Sequence, residues 1–166
     1  MFDASSKYGA EIAIDNTKNT ISLLVIGAGN PMLSDEGIGL RVIDEILDRN
    51  ISGVKAMKGF SIGVDLLFQV GKYEKILVVD AMRAGLEPGD FRLLSEEDIT
   101  NNHLKWFSVH DISLPDAIAL KKNLGIKAKI FILGIQVKSV EVGEKISDEL
   151  LTRIPEYVDL IAGFNF

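Results

Sequence analysis

Three short apolar runs constrain this chain more than any other feature. Ile21–Ile26, rich in β-branched residues, runs into Gly27-Ala28-Gly29; Ile76–Val79 is closed by Asp80; the third forms the centre of Lys129–Val137, the last strong strand. Runs this short, apolar at successive positions, suit strands covered on both faces, which implies a parallel sheet between two helical layers. The intervening stretches read as helices. Glu36–Arg49 carries Leu40, Ile43, Ile46 and Leu47 at helical spacing, with Ser34 or Asp35 placed to cap it. A second helix is expected over Ile62–Val70, capped by Ser61. A third opens at Ser113, with Asp116 in capping-box position and Gly125 at its end. Ser147 is placed to cap the last helix, in which Leu150, Leu151, Ile154, Val158 and Ile161 share a face and Pro155 introduces a kink. Shorter strands are expected at Val54–Met57 and Phe91–Leu94, the latter after the turn Glu87-Pro88-Gly89-Asp90. The resulting order alternates strands with helices, the pattern of an α/β sandwich with a mostly parallel sheet. Residues 1–20 read as a polar N-terminal extension with a short edge strand at Ala10–Ile14, and residues 21–166 as one domain.

Composition removes several classes of chemistry. There is no cysteine among the 166 residues, so disulfides, thiolate metal sites and cysteine nucleophiles are excluded together. No apolar run approaches the roughly 18 residues of a membrane span, and the N-terminal stretch lacks the apolar core of a secretory signal. The net charge of −6 and the lack of a Lys/Arg cluster argue against nucleic acid as a partner. A monomeric cytoplasmic protein is expected. The two histidines are His103, in an Asn-Asn-His-Leu context that reads as an exposed loop, and His110.

Glu36, Asp80 and His110 stand where chemistry is expected. Glu36 follows the glycine loop after the first strand, Asp80 closes a strand, and His110 precedes a helix. In open α/β sheets, ligands bind beyond the carboxyl ends of the strands, and all three residues can reach that rim. Two carboxylates and an imidazole suit a borderline divalent ion such as nickel or zinc, with coordination positions left open. Each residue also has an ordinary reading: Glu36 as a first-turn acid favoured by the helix dipole, Asp80 as a turn residue, His110 as a polar loop residue. Gly27-Ala28-Gly29 begins like a dinucleotide fingerprint, but the third glycine is replaced by Met32 and no acid ends the second strand. No Gly-x-Ser-x-Gly elbow is present.

The run Gly27-Ala28-Gly29-Asn30-Pro31-Met32-Leu33-Ser34-Asp35-Glu36-Gly37-Ile38-Gly39 resembles the N-terminal signature of the hydrogenase maturation endopeptidases. Val78-Val79-Asp80-Ala81, Ser108-Val109-His110-Asp111 and Gly134-Ile135-Gln136 with Ser139, Glu141, Gly143 and Ser147 resemble its later motifs, in order over residues 21–162. The resemblance implies a three-layer α/β/α sandwich. It implies metal ligation and catalysis at Glu36, Asp80 and His110, with Gly29, Asn30 and Asp35 in the substrate loop. It implies removal of the C-terminal extension of a nickel–iron hydrogenase large-subunit precursor after nickel insertion, the nickel being supplied by that precursor, although other divalent ions can occupy such a site. The ion then either polarises the scissile carbonyl or anchors the substrate while a carboxylate activates water. Asn30 either shapes the loop or bonds to the substrate, and Asp35 reads more as a cap than as a ligand. Two departures stand out. The turn Lys58-Gly59-Phe60-Ser61-Ile62-Gly63 lacks an acid that relatives carry, and Val137 replaces a frequent proline. A Rossmann-type nucleotide enzyme and a noncatalytic metallation checkpoint are the alternative functions.

Overall fold

The computed structural model describes residues 23–59, 65, 66, 69, 71–101, 114–143 and 145–164. The expected edge strand at Ala10–Ile14, the caps Ser61 and Ser113, and both histidines lie outside the described residues.

Five strands form one sheet in the order β2-β1-β3-β5-β4. They are β1 (Leu23–Gly27), β2 (Val54–Lys58), β3 (Lys75–Met82), β4 (Phe91–Ser95) and β5 (Lys129–Gln136). β1 pairs in parallel with β2 and β3, β3 pairs in parallel with β5, and β4 runs antiparallel along the outer edge of β5. The helices are α1 (Ile38–Arg49), α2 (Glu96–Asn101), α3 (Leu114–Asn123), α4 (Asp148–Leu151) and α5 (Ile154–Ala162). Of the helix expected over Ile62–Val70, the described residues Asp65, Leu66 and Gln69 are helical.

Side chains of a strand point alternately to the two faces, so a run of successive apolar residues feeds two cores. Leu23 and Val25 of β1, Leu77 and Val79 of β3, and Leu133 and Ile135 of β5 pack on one face against Ile38, Val42, Ile43 and Ile46 of α1 and Tyr157, Val158 and Ile161 of α5. Leu24, Ile26, Ile76, Val78, Ile130 and Ile132 face the other way, against Leu66 and against Leu114, Ala117 and Ile118 of α3. This is the expected three-layer sandwich with a mostly parallel sheet.

The structure differs from the sequence reading in several places. A helix not expected from the sequence, α2, follows β4; Ser95 and Asp98 form its capping box, with Ser95 N donating to Asp98 Oδ2 at 2.8 Å and Asp98 N donating to Ser95 Oγ at 3.3 Å. The single C-terminal helix is two, because Pro155 has no N–H to continue the ladder from α4 and instead stands in the first turn of α5. Ser147 precedes α4 as expected, but its hydroxyl makes no cap bond. β3 runs on through Asp80 to Met82, because β5 continues to pair with it there. Gly125 ends α3 as expected: at φ 68° it donates to Lys122 O while Ile126 N reaches Lys121 O, the paired bonds of a Schellman end.

Candidate functional site

The site begins where β1 stops. Gly27 pairs with Val79, and Ala28 N donates to Val79 O at 2.8 Å, so the glycine loop is bonded to β3 one residue before Asp80. Beyond that point β3 keeps only its β5 neighbour, with Asp80 opposite Gly134. The chain has passed from β1 outward to β2 and returned on the other side as β3, so strand order reverses between β1 and β3, the place where open α/β sheets form their ligand crevice. Asp80 stands on its β3 side, half-buried, on the sheet face of Ile76 and Val78, which α3 covers; its Oδ1 accepts from Ala81 N at 2.8 Å.

Two glycines bring α1 up against this rim. A Cβ on Gly39 would lie 2.2 Å from the Ala28 carbonyl oxygen and 2.4 Å from that of Val79, so only a hydrogen lets the first turn of α1 seat on the ends of both strands. Gly29, at φ 139°, approaches the turn from the other side; a Cβ there would stand 1.8 Å from Glu36 O. Between them Ser34–Gly37 forms a 3₁₀ turn packed against β3, and this turn carries Glu36, half-buried. The turn that carries Glu36 therefore packs against β3, the strand that carries Asp80. His110, the third expected ligand, lies outside the described residues. Among the described residues no group of three His, Asp or Glu side chains is arranged to hold a metal ion.

Asp35 does not cap α1. The N-cap position is Gly37, and no side chain bonds there. The Asp35 carboxylate points inward, fully buried. Its Oδ2 accepts from Lys138 N at 2.8 Å, Ser139 N at 2.9 Å and Ser147 Oγ at 3.0 Å, and its Oδ1 from Ser147 N at 2.6 Å. Burial alone would raise its pKa, but the four donated hydrogen bonds outweigh burial and hold it below the ordinary carboxylate value. Beside it, Ser34 adopts φ 38°, a left-handed conformation that costs a non-glycine residue energy, and its Oγ donates to Ser139 O at 2.8 Å. Asn30 shapes the loop: its Oδ1 accepts from Met32 N at 2.9 Å, an Asx turn, and its φ is not left-handed.

Gln136, at the end of β5, ties down the loop that follows β3. Its buried Oε1 accepts from Ala84 N at 2.8 Å and Leu86 N at 3.2 Å, and its Nε2 donates to Val137 O at 2.9 Å, which organises the turn that follows Asp80 and Met82. The sequence signal for this role was a lone amide closing an otherwise apolar strand.

Residues 41–163 match the family model described as hydrogenase maturation protease. The chain belongs to the hydrogenase maturation protease family. The matched stretch begins inside α1, just past the turn that carries Glu36, and includes Asp80. The hydrogenase 2 maturation protease of Escherichia coli (strain K12) is 27% identical over 72% of this chain and 75% of its own length. The hydrogenase expression/formation protein HoxM of Azotobacter vinelandii is 27% identical over 72% of this chain. The chain spans only 60–65% of the length of HoxM and of the relatives HupM and HupD. Among solved structures, the [NiFe] hydrogenase maturation protease HybD from Thermococcus kodakarensis superposes with a TM-score of 0.63 at 26% identity, covering 85% of this chain and 97% of that one. The hydrogenase maturating endopeptidase HybD from E. coli shares the fold, with a TM-score of 0.68 at 22% identity over 84% and 88% of the two chains. No helix among the described residues is long and apolar enough to cross a membrane.

Proposed function

We propose that the protein is an endopeptidase that removes the C-terminal extension of a nickel–iron hydrogenase large-subunit precursor, acting in the cytoplasm as a monomer after nickel has been inserted. The observation that carries this reading, beside family membership, is the placement of the Glu36 turn and Asp80 at one crevice between β1 and β3. In the proposal Glu36, Asp80 and His110 meet the nickel that the precursor brings, and the Gly29–Asp35 loop borders the bound tail. Peptide hydrolysis needs a polarised carbonyl and an activated water. The precursor's nickel, met by these residues, would supply the first as a Lewis acid; a carboxylate at the rim acts as general base, taking a proton from the attacking water and giving it to the departing amine as the C–N bond breaks. Nickel held in the substrate then doubles as the signal that the precursor is loaded.

A dinucleotide site is disfavoured by the packing of the glycine loop. The space beside Gly29, where a pyrophosphate would need to lie, holds the backbone of Glu36. The deciding experiment is incubation of the protein with nickel-loaded and nickel-free precursor, followed by intact mass measurement. The loaded precursor should lose its C-terminal extension and the nickel-free one should not. Binding of loaded precursor without any change in its mass would replace the protease reading with a metallation checkpoint.

A further inference from the structure

We propose that Asp35 is a positioning residue for Glu36: its buried carboxylate clasps the Lys138–Ser147 segment to the Ser34–Gly37 turn and so sets where the Glu36 carboxylate stands beside Asp80. The inference rests on the reading of Glu36 and Asp80 as the groups that meet the precursor's metal. Its structural basis is independent of that reading. The turn is four residues long and contains a left-handed Ser34, so its own backbone gives it little reason to persist. It is gripped from two sides instead. Gly29 closes on the Glu36 carbonyl from the strand side. From the other side come the four hydrogen bonds to Asp35, the Ser34 Oγ bond to Ser139 O, and a bond of 3.3 Å from Asp35 N to the same oxygen. Gly143 N donates to Met32 O at 3.0 Å and ties the same segment to the glycine loop again. In a 3₁₀ turn successive side chains diverge by roughly 120°, from three residues per turn. A fixed inward direction for Asp35 therefore fixes a different, outward direction for Glu36. Asp35 reaches donors 103 to 112 residues away, so the clasp forms only when β5 and α4 are in place. The rim is thus completed by the last third of the chain.

The test is Asp35→Asn in the full chain. The amide keeps the shape, but its NH₂ must face either Ser147 N or the Lys138 and Ser139 N–H groups, whichever way it turns. Amide exchange at Glu36 and Gly37 should rise about ten-fold or more, with the sheet amides of Val25, Val78 and Leu133 unchanged. Cleavage of nickel-loaded precursor should lose about ten-fold or more in kcat while KM stays within about two-fold, because the docking surface is kept and only the geometry of the chemistry is loosened. Asp98→Ala breaks the side-chain half of the capping box of α2, remote from the rim. It should leave kcat within about two-fold, which separates positioning from loss of stability. Ser147→Ala removes one of the four bonds and should lower kcat by a smaller factor; it carries the test should Asp35→Asn fail to fold. Unchanged exchange at Glu36 and Gly37, or a wild-type kcat in Asp35→Asn, would overturn the proposal. Wild-type cleavage by Glu36→Gln would overturn the functional reading instead, and the exchange measurements would still decide whether the clasp holds the turn.

Discussion

Replacing Gly39 by alanine sets two effects of opposite sign against each other. Helix propensity favours alanine over glycine by up to about 1 kcal/mol within a helix, so an isolated α1 would gain from the change. Packing opposes it. The new methyl carbon would stand 2.2 Å from Ala28 O, 2.4 Å from Val79 O and 2.9 Å from Ala28 N. The two shortest contacts are more than 1 Å inside the roughly 3.5 Å at which carbon begins to meet other heavy atoms comfortably. All three atoms belong to backbone, in the glycine loop and in β3, so no side chain can swing aside. α1 must lift from the sheet, and with it the buried contacts of Ile38, Val42 and Ile43. Overpacking of this kind costs about 1–3 kcal/mol, and backbone on both sides puts Gly39 at the upper end, for a net loss of about 2 kcal/mol after propensity is counted. For a domain of this size that lowers Tm by about 4–8 °C. Gly71→Ala is the control, since nothing lies within 4 Å of its Cβ and its φ is unrestricted; it should melt within about 1 °C of wild type. Thermal melts of the three proteins decide the matter, with precursor cleavage measured well below the lower Tm. Cleavage by Gly39→Ala should fall further than its melting temperature accounts for, because the turn bearing Glu36 moves with α1. A Gly39→Ala protein that melts at or above the wild-type temperature would refute the seating of α1 on β1 and β3.

Glu36→Gln, Asp80→Asn and His110→Ala should each abolish or severely reduce cleavage of nickel-loaded precursor with stability changes within about 1 kcal/mol, whereas His103→Ala should cleave normally; full activity in both Asp80→Asn and His110→Ala would end the metal-reading mechanism. The purified protein should hold little or no metal, since a site of two carboxylates and one imidazole without thiolates is open and weak. Stoichiometric, chelator-resistant zinc by elemental analysis would point instead to an ordinary metalloprotease. Tyr157 gives an alkaline prediction: burial pushes its hydroxyl up to about 12, from an ordinary value near 10. Its contribution is complete below pH about 10 and is lost as pH rises towards 12, a loss of about 2–3 kcal/mol. Tyr157→Phe gives up the bond to Gly89 O at neutral pH but should show a flatter decline in urea midpoint between pH 10 and 12; parallel declines would contradict this.

The sheet was legible because its evidence is local. Leu23–Ile26, Ile76–Val79 and Ile130–Leu133 are apolar at successive positions, and only strands covered on both faces bury such runs; two cores on opposite faces are the direct consequence. The places where the reading missed were also local, but turned on a competing signal. Ser95-Glu96-Glu97-Asp98 is a capping box whose first residue is also the last of β4, so strand and cap signals overlap there. Pro155 reads as a kink because Leu150, Leu151, Ile154, Val158 and Ile161 keep one face across the break. The shared face is real, but Leu150, Ile154, Val158 and Ile161 reach one core from two helices, so amphipathic spacing alone could not distinguish a bend from a break.

The site was legible to a different depth for each residue. Glu36 and Asp80 are marked by position, as acids directly following a glycine loop and an apolar strand, and the fold sets the turn of Glu36 against the strand of Asp80. Asp35 was not legible in its true role. An aspartate just before a helix is read as a cap, since a cap needs only an acceptor near the first N–H groups of that helix. Its actual donors are backbone N–H groups of Lys138, Ser139 and Ser147, together with the Ser147 hydroxyl. Every residue except proline has a backbone N–H, so these donors leave almost no trace in residue identity, and only the returning chain reveals them. The same reasoning separates the two neighbouring acids by consequence. Loss of Glu36 removes a half-buried carboxylate that the proposed mechanism assigns to the precursor's metal, and should cost function alone. Loss of Asp35 leaves buried N–H groups without an acceptor and should cost both stability and function. Adjacent carboxylates in one four-residue turn are thus distinguished by what each faces, not by their chemistry or their place in the sequence.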